Sequence, residues 1–338
     1  MNRSCYKIIL FVIFSTCCAF PSHSQILKGF IETGSFNEQE LWIKNGHDSV
    51  TININAPLHF SKKGETFLVL FALPNGNSIE WTKGKKMSKG TPSEKAGEDW
   101  HFDIQHIAAQ TRFARNVDKK NNYIVVYLMA GQKSWPTWKR STQNAKSKIK
   151  NLVDSLSGLF KEYHPKIILS GHSGGGSFIF GFIDAVEKIP DNIERIVFLD
   201  SDYGYEDSLH TKKLADWLQT DKRNNLFVLA YNDSVVIYNG KSLVSPTGGT
   251  WYRSRLLQRK LAGTFSFKTV ADTAFIHHQA LHGRIKIILK ENPNGLIYHT
   301  VQVEKNGFIF SLLSYTKFDR RKYFTYFGDR AYKKYILD

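Results

Sequence analysis

Apolar residues along the chain gather in short blocks separated by turn signals. The blocks at 66–73 (TFLVLFAL), 123–129 (YIVVYLM), 166–169 (KIIL), 195–199 (RIVFL), 226–231 (LFVLAY) and 285–290 (IKIILK) are nearly continuous, the pattern of strands covered on both faces. Between them lie segments with a helical period. Ala145, Ile149, Leu152, Val153, Leu156, Leu159, Phe160 and Tyr163 recur at that spacing behind Ser141 or Thr142, either of which can cap the first turn. Residues 177–189 are apolar almost all round, which predicts a buried helix ended by Pro190, and 209–218 predicts another. Nearer the start, Val50, Ile52 and Ile54 alternate with Thr51, Asn53 and Asn55, the pattern of a half-buried strand. The alternation of strand and helix predicts an α/β fold: a mainly parallel, doubly wound sheet with helices on both faces and an antiparallel N-terminal edge. A polar stretch at 82–99 predicts an excursion over the surface, and the Tyr- and Phe-rich segment 315–335 a C-terminal helix packed on the sheet.

Composition adds a compartment. The 338 residues are 42% hydrophobic and 22% charged, ordinary for a globular protein. Arg3 and Lys7 precede an apolar run at 8–20, and Ser22 and Ser24 stand where a signal peptidase requires small residues. This pattern predicts a signal peptide at 1–24, cleaved between Ser24 and Gln25, and a single exported domain at 25–338, periplasmic or secreted. The apolar run is short for a membrane span, and no transmembrane segment is expected after cleavage. Cys5, Cys17 and Cys18 are the only cysteines. A chain cleaved at Ser24 therefore has no thiol nucleophile, no cysteine metal site and no disulfide. The net charge of +16 is scattered, with denser basic patches at 320–322 and 330–334. It reads as a solvated basic surface, with an anionic envelope surface as a candidate partner. No zinc-finger, helix-turn-helix or RNP-type pattern accompanies it, so nucleic acid is not an expected partner.

The most specific chemistry lies in Gly171-His172-Ser173-Gly174-Gly175, a G-x-S-x-G pattern between a predicted strand and a predicted helix. A serine on so tight a turn takes a strained backbone conformation, and neighbouring chain passes too close for side chains two residues before and after it. Glycine at 171 and 175 meets that need. The turn would also leave the Gly174 N–H at a helix N-terminus, facing a developing oxyanion.

In this feature, and in its order of elements from about residue 50 to the C-terminus, the sequence resembles the α/β-hydrolases. The resemblance implies Ser173 as nucleophile, an acid after a later strand and a histidine after the last one. Asp233, following the 226–231 strand, is the expected acid, with Asp200 and Asp202 as its rivals. His299 is the expected base; its rivals His277, His278 and His282 precede the last strand. The second oxyanion donor is expected from Asn75 or Gly76, or else Asn77, because Pro74 has no N–H. Trp135 and Trp251, among several tryptophans in predicted loops, and His172 are the expected substrate-binding residues. The 234–280 insertion is a candidate lid.

His278 and His282 share a metal-like spacing, but no glutamate or third ligand accompanies them, so neither a metal nor a cofactor is expected. The reading that follows is an exported serine hydrolase that cleaves a small-molecule or polymer ester, or an amide, through an acyl-enzyme. Two alternatives stand beside it: a non-catalytic module of the same fold that binds carbohydrate or envelope components, and a peptidase or amidase acting on envelope peptides.

Overall fold

The structure, a computed structural model, describes residues 26–46, 48–84 and 105–337. The leader with its Ser24–Gln25 cleavage site, the cysteines and most of the 82–99 excursion lie outside the described residues.

The chain begins with β1 (Ile31–Glu32), β2 (Glu38–Gly46), β3 (Val50–Pro57) and β4 (Thr66–Ala72), then the helices α1 (Ile79–Lys83) and α2 (Ile107–Val117). Next come β5 (Asn122–Met129), α3 (Trp135–Ser141), α4 (Ala145–Leu159), β6 (Lys166–His172), α5 (Gly176–Ala185), β7 (Ile193–Leu199), α6 (Asp207–Thr220) and β8 (Asn225–Tyr231). A small hairpin of β9 (Ile237–Tyr238) and β10 (Lys241–Ser242) precedes α7 (Thr250–Leu261), β11 (Lys268–Ala271), β12 (Phe275–Ala280), β13 (Ile285–Lys290) and α8 (Phe308–Leu313). One large sheet runs in the order β1-β2-β3-β5-β4-β6-β7-β8-β13-β12-β11. Its centre, from β5 to β13, is parallel, while β1–β3 and β11–β12 extend it antiparallel at the two edges. This strand order, with a tight serine turn after β6, is the α/β-hydrolase architecture that the sequence resembles.

Successive side chains of a strand face opposite ways, so each central strand feeds two cores. On β4, Leu68, Leu70 and Ala72 join residues of α3 to α7 on one face. Phe67, Val69 and Phe71 pack on the other with α2, α8 and the C-terminal segment. The parallel strands therefore carry apolar residues at nearly every position, which is why they read as unbroken runs.

Four local expectations are corrected. The first concerns β3, which is not half-buried. Asn53 and Asn55 lie inside, their amides 3.3 Å from the Glu40 carboxylate, and Lys83 pairs with Glu40 and lies 3.0 Å from Asn53 Oδ1. The polar face is thus covered by a charged network that alternation alone does not reveal. The second concerns α5, which stops at Ala185, before Pro190, because Lys213 of α6 takes the carbonyls of Ile183 and Val186 at 2.8 and 2.7 Å. Third, Ser141 closes α3, and the residue at the start of α4 is Asn144, in a left-handed conformation. Last, the 315–337 segment forms turns and one short 3-10 turn at Lys333–Tyr335, not a long helix. The Asn306 amide holds it, bonding the carbonyls of Thr325 and Asp329 and the N–H of Ala331, and Phe324 and Tyr332 pack into the core as expected.

Candidate active site

Ser173 follows β6 directly and has φ +54°, a conformation that costs a non-glycine residue about 1–3 kcal/mol. Its surroundings leave no room for side chains. A Cβ on Gly171 would lie 2.8 Å from the Gly175 carbonyl carbon, and one on Gly175 would lie 2.2 Å from Ala72 O. A Cβ on Gly176 would come within 1.7 Å of Ser201 O, a third close approach that the motif did not announce.

The loop after β13 brings His299 over this turn. Its ring centroid is 4.6 Å from that of His172, and its backbone carbonyl is 3.1 Å from His172 Nε2. His172 is fully buried, and burial first, then the neighbouring His299, hold its pKa well below the usual histidine value. It is therefore neutral, with a single N–H. The His299 carbonyl claims that proton at Nε2, so Nδ1 accepts. The Gln105 amide, with Oε1 placed 3.2 Å from Nδ1, then turns its NH2 toward the ring. His172 is thus a strut between the serine turn and the loop that carries His299, not a substrate-binding residue.

His299 Nδ1 pairs with Asp200, at the end of β7, and not with Asp233. Asp200 is wholly buried, has φ +48°, and donates its N–H to Leu229 O at 2.7 Å. Asp233 lies on the far side of Thr250. One Asp233 oxygen accepts the Thr250 N–H at 2.8 Å, while the Thr250 hydroxyl bonds Asp200 Oδ1. The carboxylate that meets His299 is thus not the expected Asp233 but its rival one strand nearer the serine. The physical reason is direction: the β8 turn aims Asp233 at the α7 N-terminus, where a Cβ on Gly249 would come within 2.3 Å of the carboxylate. Burial, then the charge of Asp200, raise the Asp233 pKa to about 6. Asp202, also buried and bonded by Ser254 Oγ at 2.7 Å, is raised to about 8, chiefly by burial. Beside the His299–Asp200 pair, these two carboxyls keep their protons to higher pH than an ordinary aspartate does.

A cavity of about 410 Å³ opens at Ser173, lined by Asn75, Gly174, Ser177, Tyr203 and Lys139 among others. The N–H of Gly174 belongs to a first helical turn and has no intrahelical acceptor. Asn75 packs on it so closely that a Cβ at 174 would lie 2.1 Å from Asn75 Oδ1. Gly76 is withdrawn from the expected donors, because its N–H bonds Lys133 O at 2.9 Å; Asn77 N–H turns to Pro74 O at 3.4 Å. No hydrogen bond joins Ser173 Oγ to His299 among the described residues. Tyr203, whose ring lies 6.4 Å from that of His299, was not foreseen. Neither was Lys139.

The two tryptophans expected on the rim are packing residues. Trp135 is buried against Phe178 and Trp138, with its indole N–H on Leu128 O at 3.1 Å. Trp251 belongs to the core under α7, with Arg255 over its ring. Their predicted loops are in fact helices, so both point inward. The stretch read as a lid is divided: α7 packs on the sheet, β11 and β12 extend the sheet, and the β9–β10 hairpin stands exposed. His278 lies on β12 and bonds Thr269, while His282 lies in the following turn, so they do not share a helix face.

No family model and no curated protein matches the chain. Among solved structures it is similar to a thermostable esterase, at 16% identity and TM-score 0.43, over 82% of this chain and 60% of that one. It is also similar to a mutant feruloyl esterase module from Clostridium thermocellum complexed with sinapinate, at 9% identity and TM-score 0.49, over 88% and 98% of the two chains. A third such structure is the acetyl xylan esterase from Aspergillus awamori, at 10% identity and TM-score 0.43, over 81% and 99%. The chain thus spans about 60% of the first of these proteins and nearly all of the other two.

Proposed function

We propose that this protein is a serine hydrolase that cleaves esters through an acyl-enzyme. Ser173 is the nucleophile, His299 the general base and acid, and Asp200 the carboxylate that orients it. The observation that carries the reading is the strained Ser173 at the end of β6, preceded by a His172 that packs on His299, whose Nδ1 is held by a buried aspartate.

Each role follows from the chemistry of the group. A serine hydroxyl is a weak nucleophile until a base takes its proton during attack. With Nδ1–H given to Asp200, His299 has Nε2 free to accept it, and the imidazolium that forms faces a carboxylate. The hydrogen bond between His299 and Ser173 is expected to form in the substrate complex, since catalytic hydrogen bonds are commonly long without substrate. The carbonyl oxygen becomes an oxyanion against the Gly174 N–H and Asn75, by its N–H or its side-chain amide. Collapse expels the alcohol, which takes the proton from His299. Water, deprotonated by the same imidazole, then attacks the acyl-serine and releases the acid.

The test is turnover of short p-nitrophenyl esters, with labelling by a fluorophosphonate. Ser173→Ala is expected to abolish labelling and lower kcat by about a thousandfold or more. Turnover by that variant equal to the wild type would remove the proposal, and faster cleavage of the matching p-nitroanilides would turn it toward amides.

A further inference from the structure

We propose that the substrate of this site carries a carboxylate, which Lys139 receives in the catalytic cavity. The inference rests on the serine-hydrolase reading and deepens it by naming the substrate class.

Lys139 is the one charged side chain among the described residues lining the Ser173 cavity. The other linings, among them Pro136, Ser177 and Tyr203, are neutral or apolar. The ammonium group makes no hydrogen bond or ion pair to any described residue. The charged groups that act on it are Asp184 of α5, Lys146 of α4, Glu206 before α6 and Arg140 beside it on α3. Asp184 is already engaged, by Lys146 and by His210, each at 3.0 Å. A half-buried lysine therefore lines the cavity while Asp184, the carboxylate that acts on it most, is claimed by others. Burial lowers its pKa, as expected for a cation that has given up water without gaining a partner.

Its stem is seated rather than loose. A Cβ on Gly181 would lie 3.6 Å from Lys139 Cδ and 2.5 Å from Ile149 Cδ1, so α3 and α4 close over a glycine of α5. Helix α5 begins at the serine turn, and Ser177 and Gly181 lie one and two turns along it from Ser173. Ser173 and Lys139 thus line one cavity, with the lysine stem seated about two helical turns along α5 from the serine. A carboxylate bound there gains a charge-assisted hydrogen bond in partly dry surroundings, whereas a neutral chain of equal length leaves the cation unpaired.

The test uses matched esters, mono-p-nitrophenyl glutarate and p-nitrophenyl pentanoate, which differ in a terminal carboxylate against a methyl. Calorimetric affinities for Ser173→Ala are expected to favour the anionic ester about tenfold. Adding Lys139→Met should erase that preference while the pentanoate affinity changes less than about twofold, and adding Lys139→Arg should keep it. Equal affinities in Ser173→Ala would overturn the inference. So would no binding of either ester, a preference that survives Lys139→Met, or loss of both ligands in Lys139→Met and Lys139→Arg alike. Hydrolysis of the same esters by the wild type reports separately on the reaction: turnover without the charge preference sinks only the inference about Lys139.

Discussion

Ser173 and Asp200 take the same unusual backbone turn at the ends of adjacent parallel strands, β6 and β7. Each then projects its side chain above the carboxyl edge of the sheet, where parallel α/β sheets place their chemistry. Asp233, one strand further, reaches this centre only through Thr250. The two aspartates should therefore answer differently to the same change. Asp200→Asn is expected to lower kcat/KM by about a thousand- to ten-thousandfold, because the asparagine cannot hold the required imidazole tautomer. Asp233→Asn should keep at least about a tenth of the activity, and the opposite ranking would return the role to Asp233. Asp202 makes a second case. Its pKa in the folded protein, about 8, stands above the ordinary value of 3.8. The folded state therefore holds a proton that the unfolded chain releases, and stability falls as pH rises between about 4 and 8. The Tm of Asp202→Asn should therefore rise relative to that of the wild type as pH goes from about 4 to 8.

At the scale of elements, the parallel strands and the serine turn were legible because their residues answer to one constraint each: burial on both faces, or the absence of a Cβ. The acid was not. Asp200, Asp202 and Asp233 all follow strands, and only the direction of each turn decides which of them meets the imidazole. Trp135 and Trp251 misled for a related reason, since aromatic residues near strand ends look alike whether a helix turns them inward or a loop outward. The antiparallel edge was foreseen, but not its means of attachment. Glu38 of β2 accepts Arg112 Nη2 and Arg115 Nη1 of α2, each at 2.8 Å, and is almost wholly buried. Glu38→Ala strands two guanidinium groups in the interior and should cost about 3–5 kcal/mol in chemical denaturation. A loss under about 1 kcal/mol would show that the edge is held by apolar packing instead.

Across the whole molecule, the proposed nucleophile and acid, Ser173 and Asp200, follow strands of the sheet directly, while the proposed base, His299, is carried on a loop between β13 and α8. The His172 contact with the His299 carbonyl ties that loop to the serine turn. Leu296 and Ile297, on the same loop, are about half exposed. Folding and competence should then be separable by a single cut. A protease that nicks the chain at 296–297 is expected to leave the melting temperature nearly intact while fluorophosphonate labelling at Ser173 fades. Parallel loss of both signals would mean that the strap bearing the imidazole is also a structural member of the fold.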